Sequence, residues 1–142
     1  MMRISAIFAA ALAAGACQAG SAGGDDRSTE AFSAIGPDET IQFTGTEPFW
    51  GGEVRGASLI YSTPENIDGV TIAVERFDGN SGTSFSGELD GRSFDLTITE
   101  GSCSDGMSDR TYPFNATLKL DEEVRSGCAY TESQPFTGSQ TP

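Results

Sequence analysis

"RSFDLTITE", residues 92–100, decides the fold. Phe94, Leu96 and Ile98 fall on one side of an extended chain, and Asp95, Thr97 and Thr99 on the other. That period of two belongs to a half-buried strand, not to a helix. Asp90-Gly91, just before it, supplies the two central residues of a tight hairpin. Further on, "YPFNATLKL" (112–120) repeats the pattern, with Phe114, Ala116, Leu118 and Leu120 opposing Asn115, Thr117, Lys119 and Asp121.

Working outward, the chain from residue 40 is a series of short β-type runs divided by turn signals. The remaining runs are 40–45, 49–55, 57–62, 69–77, 83–89 and 123–130, with turns at Asp68-Gly69 and Asp78-Gly79-Asn80. No segment carries a helical period with caps. Eight short strands at regular spacing in roughly 95 residues predict an all-β domain, an antiparallel barrel or sandwich, over residues 40–136. A barrel is preferred to a sandwich because closure removes exposed strand edges. Residues 137–142 read as a disordered tail.

The amino terminus has a different texture. "MMRISAIFAAALAAGAC" places Arg3 before an apolar run, Ile4 to Ala14, that is too short to span a membrane, followed by small residues. Residues 1–16 thus read as a secretory signal. Ala14-Gly15-Ala16-Cys17 resembles the lipobox of bacterial lipoproteins, with Ala14 where a leucine is usual. The expectation is a lipidated (palmitate-bearing) Cys17 anchored in the outer membrane and facing the periplasm. Ordinary signal-peptidase cleavage after Ala16 is the alternative. Residues 17–39, rich in Gly, Ala, Ser and acid, read as a flexible tether with a reach of roughly 25 Å.

The chain has three cysteines. With Cys17 carrying lipid, Cys103 and Cys128 are left to pair in an oxidising compartment. Closing that loop of about 25 residues contributes roughly 3.5 kcal/mol in the chain-entropy picture.

Composition narrows the function. The sequence holds 21 acidic and 8 basic residues and a net charge of −13. Removing Arg3 with the signal leaves 7 basic against 21 acidic residues, a charge of −14. Such a surface repels nucleic acid and anionic lipid headgroups, and suits a cationic protein or an envelope polymer. There is no histidine, which removes Ser-His-Asp and Cys-His catalysis and histidine-ligated zinc. Asp78, Asn80 and Gly82 do not continue into a calcium loop, since Leu89 stands where the bidentate glutamate belongs. No cofactor or metal motif is present. Carboxylate pairs drawn from Glu47, Glu53, Asp105 and Asp109 are the route left to catalysis, as a hydrolase of an envelope polymer.

Two stretches concentrate the candidate residues. In "TEPFWGG" (46–52), Phe49 and Trp50 point to opposite faces of a strand, so one ring fills the core and the other caps the barrel or lies on the surface. Trp50 is the candidate contact there, because exposed tryptophan is enriched at binding hot spots. In "GSCSDGMSDRTYPFN" (101–115), Asp105-Gly106 and Ser108-Asp109 are turn formers whose side chains cap nearby amides. Arg110 is expected to pair with one of the acids, and Tyr112 and Phe114 to enter the core. This is first a stapled turn between strands. A rigid exposed loop also presents contacts, which makes Asp105, Met107, Asp109 and Arg110 the candidate binding residues.

"GTEPFWGGEV", "LIYSTPEN", "CSDGMSDRTYPFNATL" and "GCAY" together resemble an uncharacterised family of small proteobacterial envelope proteins, labelled as predicted membrane proteins or lipoproteins. The resemblance covers roughly residues 40–130. It implies an envelope location and a Cys103–Cys128 pair, and no activity. Some relatives carry a domain similar to the membrane-bound inhibitor of C-type lysozyme, a small β-barrel lipoprotein. The serine- and lysine-bearing loop of that inhibitor is missing here. The expectation is therefore a non-enzymatic, periplasm-facing binding module whose partner is cationic, lysozyme being one such protein. A carboxylate-dependent hydrolase and a purely structural envelope protein are the alternatives.

Overall fold

The computed structural model describes residues 30–139. The signal segment, Cys17 and the first part of the expected tether lie outside them, as do residues 140–142. Among the described residues nine antiparallel strands form one sheet: β1 (Ile41–Thr46), β2 (Phe49–Arg55), β3 (Ser58–Thr63), β4 (Asn66–Ala73), β5 (Glu75–Asp78), β6 (Gly82–Leu89), β7 (Arg92–Ser104), β8 (Thr111–Leu120) and β9 (Glu123–Thr131). Their order across the sheet is β4-β3-β2-β1-β9-β8-β7-β6-β5. The sheet curls into a nearly closed barrel.

The closing device is a bend. The expected single strand over 69–77 is two strands, parted at Val74, and Asp68-Gly69, expected as the turn before it, lie inside β4. The first half of 69–77 pairs with β3 and the second half with β6, so one continuous piece of chain brings the two ends of the sheet together. Val74 is buried, and its amide donates to the Ala57 carbonyl at 2.9 Å instead of to a ladder partner. Ile72 and Val74 both point inward, so the alternation runs through the bend and leaves no mark in the sequence pattern.

Register confirms the faces expected of the two deciding strands. Phe94 lies opposite Leu120, Leu96 opposite Leu118, and Ile98 opposite Ala116. All six are buried and belong to the main core, with Phe43, Leu59, Phe85 and Phe114. Asp90 (φ 51°) and Gly91 (φ 77°) make the two-residue turn between β6 and β7, the positive-φ pair that matches strand twist. β7 runs past Glu100 to Ser104 through a register shift between Glu100 and Cys103, so it overhangs the barrel and carries Cys103 with it.

The domain begins before residue 40. Phe32 and Ile35, placed by sequence in the tether, are buried in the core. The Phe32 amide donates to the Gly79 carbonyl at 2.7 Å, and the Arg76 guanidinium donates to the carbonyls of Ile35 (2.8 Å) and Gly36 (3.1 Å). Gln134 Nε2 reaches the Ala34 carbonyl at 2.7 Å. This strap packs beside β5, the strand at one end of the sheet. At the other terminus, Thr137 exchanges two backbone hydrogen bonds with Thr111 (2.8 and 2.9 Å), so the expected tail is fastened at its first residue.

If the strap is part of the core, Ile35→Ala costs about 2–5 kcal/mol, measured as a fall in the denaturant midpoint with the slope unchanged. An unchanged midpoint would return residues 30–39 to the tether.

Candidate functional site

Trp50, the candidate contact on the 49–55 strand, is core. Residues 47 and 48 form the turn between β1 and β2, and the register sets Gly45 opposite Trp50 and Thr46 opposite Phe49. Lateral partners share a face. The indole therefore lies under Gly45 on the inner side, 3% exposed, and Phe49 stands outside beside Thr46, 52% exposed. Two glycines make room for the ring. A Cβ on Gly45 would sit 1.9 Å from Trp50 Nε1, and one on Gly127 would sit 2.9 Å from Trp50 Cζ2. Nε1 has no hydrogen-bond partner among the described residues. Trp50 is therefore not available as a surface contact, and Phe49 takes that place.

Cys103 and Cys128 are disulfide-bonded, with Cα atoms 5.6 Å apart. Cys103 is on β7 and Cys128 on β9, so the bond bridges two strands separated by β8. It anchors the start of the segment 104–110.

Asp105 organises that segment from within. Its carboxylate accepts hydrogen bonds from the Ser108 hydroxyl (2.6 Å), the Met107 amide (2.9 Å), the Ser108 amide (2.8 Å) and the Tyr112 hydroxyl (3.4 Å). These donors, the Ser108 hydroxyl foremost, hold its pKa down at about 2, against 3.8 for an ordinary aspartate. The Asp105 carbonyl in turn accepts from the Thr46 hydroxyl at 3.1 Å, which docks the loop on the β1–β2 hairpin. Ser108 Oγ accepts from the Arg110 amide at 3.3 Å. The capping expected of Asp105 and Ser108 is thus present in detail.

Arg110 departs from expectation. No hydrogen bond or ion pair joins it to Asp105 or Asp109 among the described residues. Its guanidinium lies over the Phe136 ring, 4.1 Å from the centroid, and its Nε is buried with no hydrogen-bond partner among the described residues. Phe136 also packs on Tyr130 (4.9 Å) and Tyr112 (5.5 Å). Tyr112 is therefore buried in a second aromatic cluster, while Phe114 belongs to the main core. Arg110 is a packing residue in this arrangement. Asp109 and Met107 face solvent, Met107 at 59% exposure.

The stapled loop walls a groove of about 710 Å³ on the outer surface of the barrel. Its floor includes Thr44, Cys128 and Asn115, which are lateral neighbours across β1, β9 and β8. Ser102 to Met107, Val124 and Glu47 also line it. Phe49 stands beside the lining residue Thr46. Sequence reading missed Phe49 and the hydroxyl-rich floor. The signal for Phe49 was present, since a two-residue turn at 47–48 sets the small Gly45 against Trp50.

Of the candidate carboxylates, Glu47 and Asp105 line this groove. Glu53 accepts from Gln42 Nε2 at 2.7 Å, and Asp105 is fully engaged by loop donors. Among the described residues no three His, Cys, Asp or Glu side chains come together as metal ligands.

Because the folded pKa of Asp105 is lowered, its stabilising contribution is complete above pH 3.8 and is lost as pH falls toward about 2. Asp105→Asn should lower the Tm at pH 7 by about 4–8 °C, the effect of roughly 1 kcal/mol in a domain of this size. The gap from wild type should close as pH approaches 2. Equal melting temperatures at pH 7 would contradict this role. Comparison of the chain with protein families, with curated proteins and with solved structures gave no match.

Proposed function

We propose that this protein is a non-catalytic binding module of the bacterial envelope, lipid-anchored through Cys17 in the outer membrane, that meets its partner through the stapled loop. The anchor rests on the signal-like segment and on Ala14-Gly15-Ala16-Cys17. The observation that carries the binding reading is the loop itself. It is cross-linked by Cys103–Cys128, held from inside by Asp105, and docked by Thr46, yet it leaves Met107 exposed beside a groove whose hairpin neighbour Phe49 is exposed too.

Large apolar side chains displayed on a rigid frame lose little entropy on association, so more of their burial appears as affinity. A loop needing only to connect β7 and β8 has no use for Met107 in water. Asp105 is unsuited to be the general acid of a carboxylate pair. A general acid must hold a proton near neutral pH, and the Asp105 environment favours the carboxylate down to about 2.

A photo-crosslinking amino acid at position 107 of the full chain, in its native membranes, should yield an adduct of one defined mass. Phe49→Ala should reduce its formation about 30-fold, the effect of losing a 2 kcal/mol hot spot. Crosslinking no stronger at 107 than at exposed Thr71 on β4 would overturn the reading.

A further inference from the structure

We infer that the groove takes an extended cationic segment of a partner protein, its apolar residues against Met107, Phe49 and Val124 and its basic residues toward Glu47. This deepens the binding reading above and rests on it.

Three observations select that occupant. The first is the state of the floor. The side chains of Thr44, Asn115 and Ser126 line the groove and make no hydrogen bond among the described residues. They are free to bond a backbone laid over them, which unpaired main-chain groups require. Thr44 and Asn115 are two strand spacings apart, about 10 Å, the span of roughly three residues of extended chain.

The second is charge. Among the described residues Arg125 is the only basic one lining the groove, and its side chain is committed elsewhere, to the Tyr61 hydroxyl (2.8 Å) and to Glu123 (2.8 Å). The Asp105 carboxylate is saturated by its own loop. Glu47 is exposed and makes no ion pair among the described residues. In a chain of net charge −13, the field over the groove attracts cations and repels both anionic polymers and a second copy of this chain.

The third is the rim. Met107 (59% exposed) and Val124 (61%) line the groove, and Phe49 adjoins it. They are three of the six large apolar side chains left exposed among the described residues. A neutral glycan would want flat aromatic faces to stack on, and among the described residues Phe49 is the only such ring at the rim. Apolar residues interleaved with basic ones match these surroundings better.

The test uses the full, oxidised chain and two fluorescein-labelled nonapeptides, one of three Lys-Val-Ser repeats and one of three Glu-Val-Ser repeats. The lysine peptide should bind in fluorescence anisotropy and shift the amide resonances of Thr44, Met107, Asn115 and Ser126. The glutamate peptide should not. Glu47→Gln and Met107→Ser should each weaken binding about fivefold or more with an unchanged Tm, and raised salt should weaken it further. Equal binding of both peptides, or shifts confined to another face, would overturn the inference. If neither peptide moves these resonances while position 107 still traps a partner, the cationic inference fails and the binding reading stands. Shifts from a neutral oligosaccharide of N-acetylglucosamine in place of the lysine peptide would overturn the inference in the same way. If position 107 traps nothing as well, both fail.

Discussion

The bond between Cys103 and Cys128 is the constraint on which the loop and its groove depend. It reaches from the overhanging end of β7 to β9, past the intervening β8. Without it, the overhang of β7 is tied only along one edge, to β8, and the loop beyond it is long and polar. With it, Ser104 starts from a fixed point, and the short-range bonds of Asp105 suffice to fold the rest. The loop then has no apolar core of its own and needs none. Met107 is left in water because the carboxylate, not a hydrophobic contact, is what the loop folds around.

The same staple matters for stability. A charge of −13 spread over a small domain sets carboxylates against one another and favours the expanded chain. Cross-linking residues 25 apart restricts that chain, by roughly 3.5 kcal/mol in the entropic account, a large part of the total for such a domain. Acidity is thereby tolerated where a plain β-barrel of this size has little margin. The strap formed by residues 30–39 adds to it from the other end by burying Phe32 and Ile35 beside β5.

What was legible in the sequence was whatever depends on local period. Phe94-Leu96-Ile98 and Phe114-Ala116-Leu118 announce their strands and their inner faces, and Asp90-Gly91 its hairpin, because side-chain alternation and turn chemistry act over a few residues. What was not legible depends on partners far along the chain. Phe32 and Ile35 are isolated apolar residues in a Gly- and Ser-rich stretch, with no period to show that a core awaits them. The bend at Val74 preserves the inward alternation and so conceals itself. Arg110 has acids nearby in sequence, and only the return of Phe136 gives its guanidinium a ring to lie on. Phe49 and Trp50 divide between surface and core according to a glycine on the neighbouring strand. In the site, the capping role of Asp105 was readable, while the groove was not, since it is assembled from β1, β7, β8 and β9.

The central claim is that the loop is pre-formed by the staple and by Asp105 before any partner arrives. Native-state hydrogen exchange of the Met107 and Ser108 amides measures this most directly. Both donate to the Asp105 carboxylate, so in the oxidised protein they should exchange well below the rate of a free loop. In Cys103→Ser that protection should fall while the amides of β8 keep theirs. Free-loop exchange of both amides in the intact, disulfide-bonded protein would contradict the account.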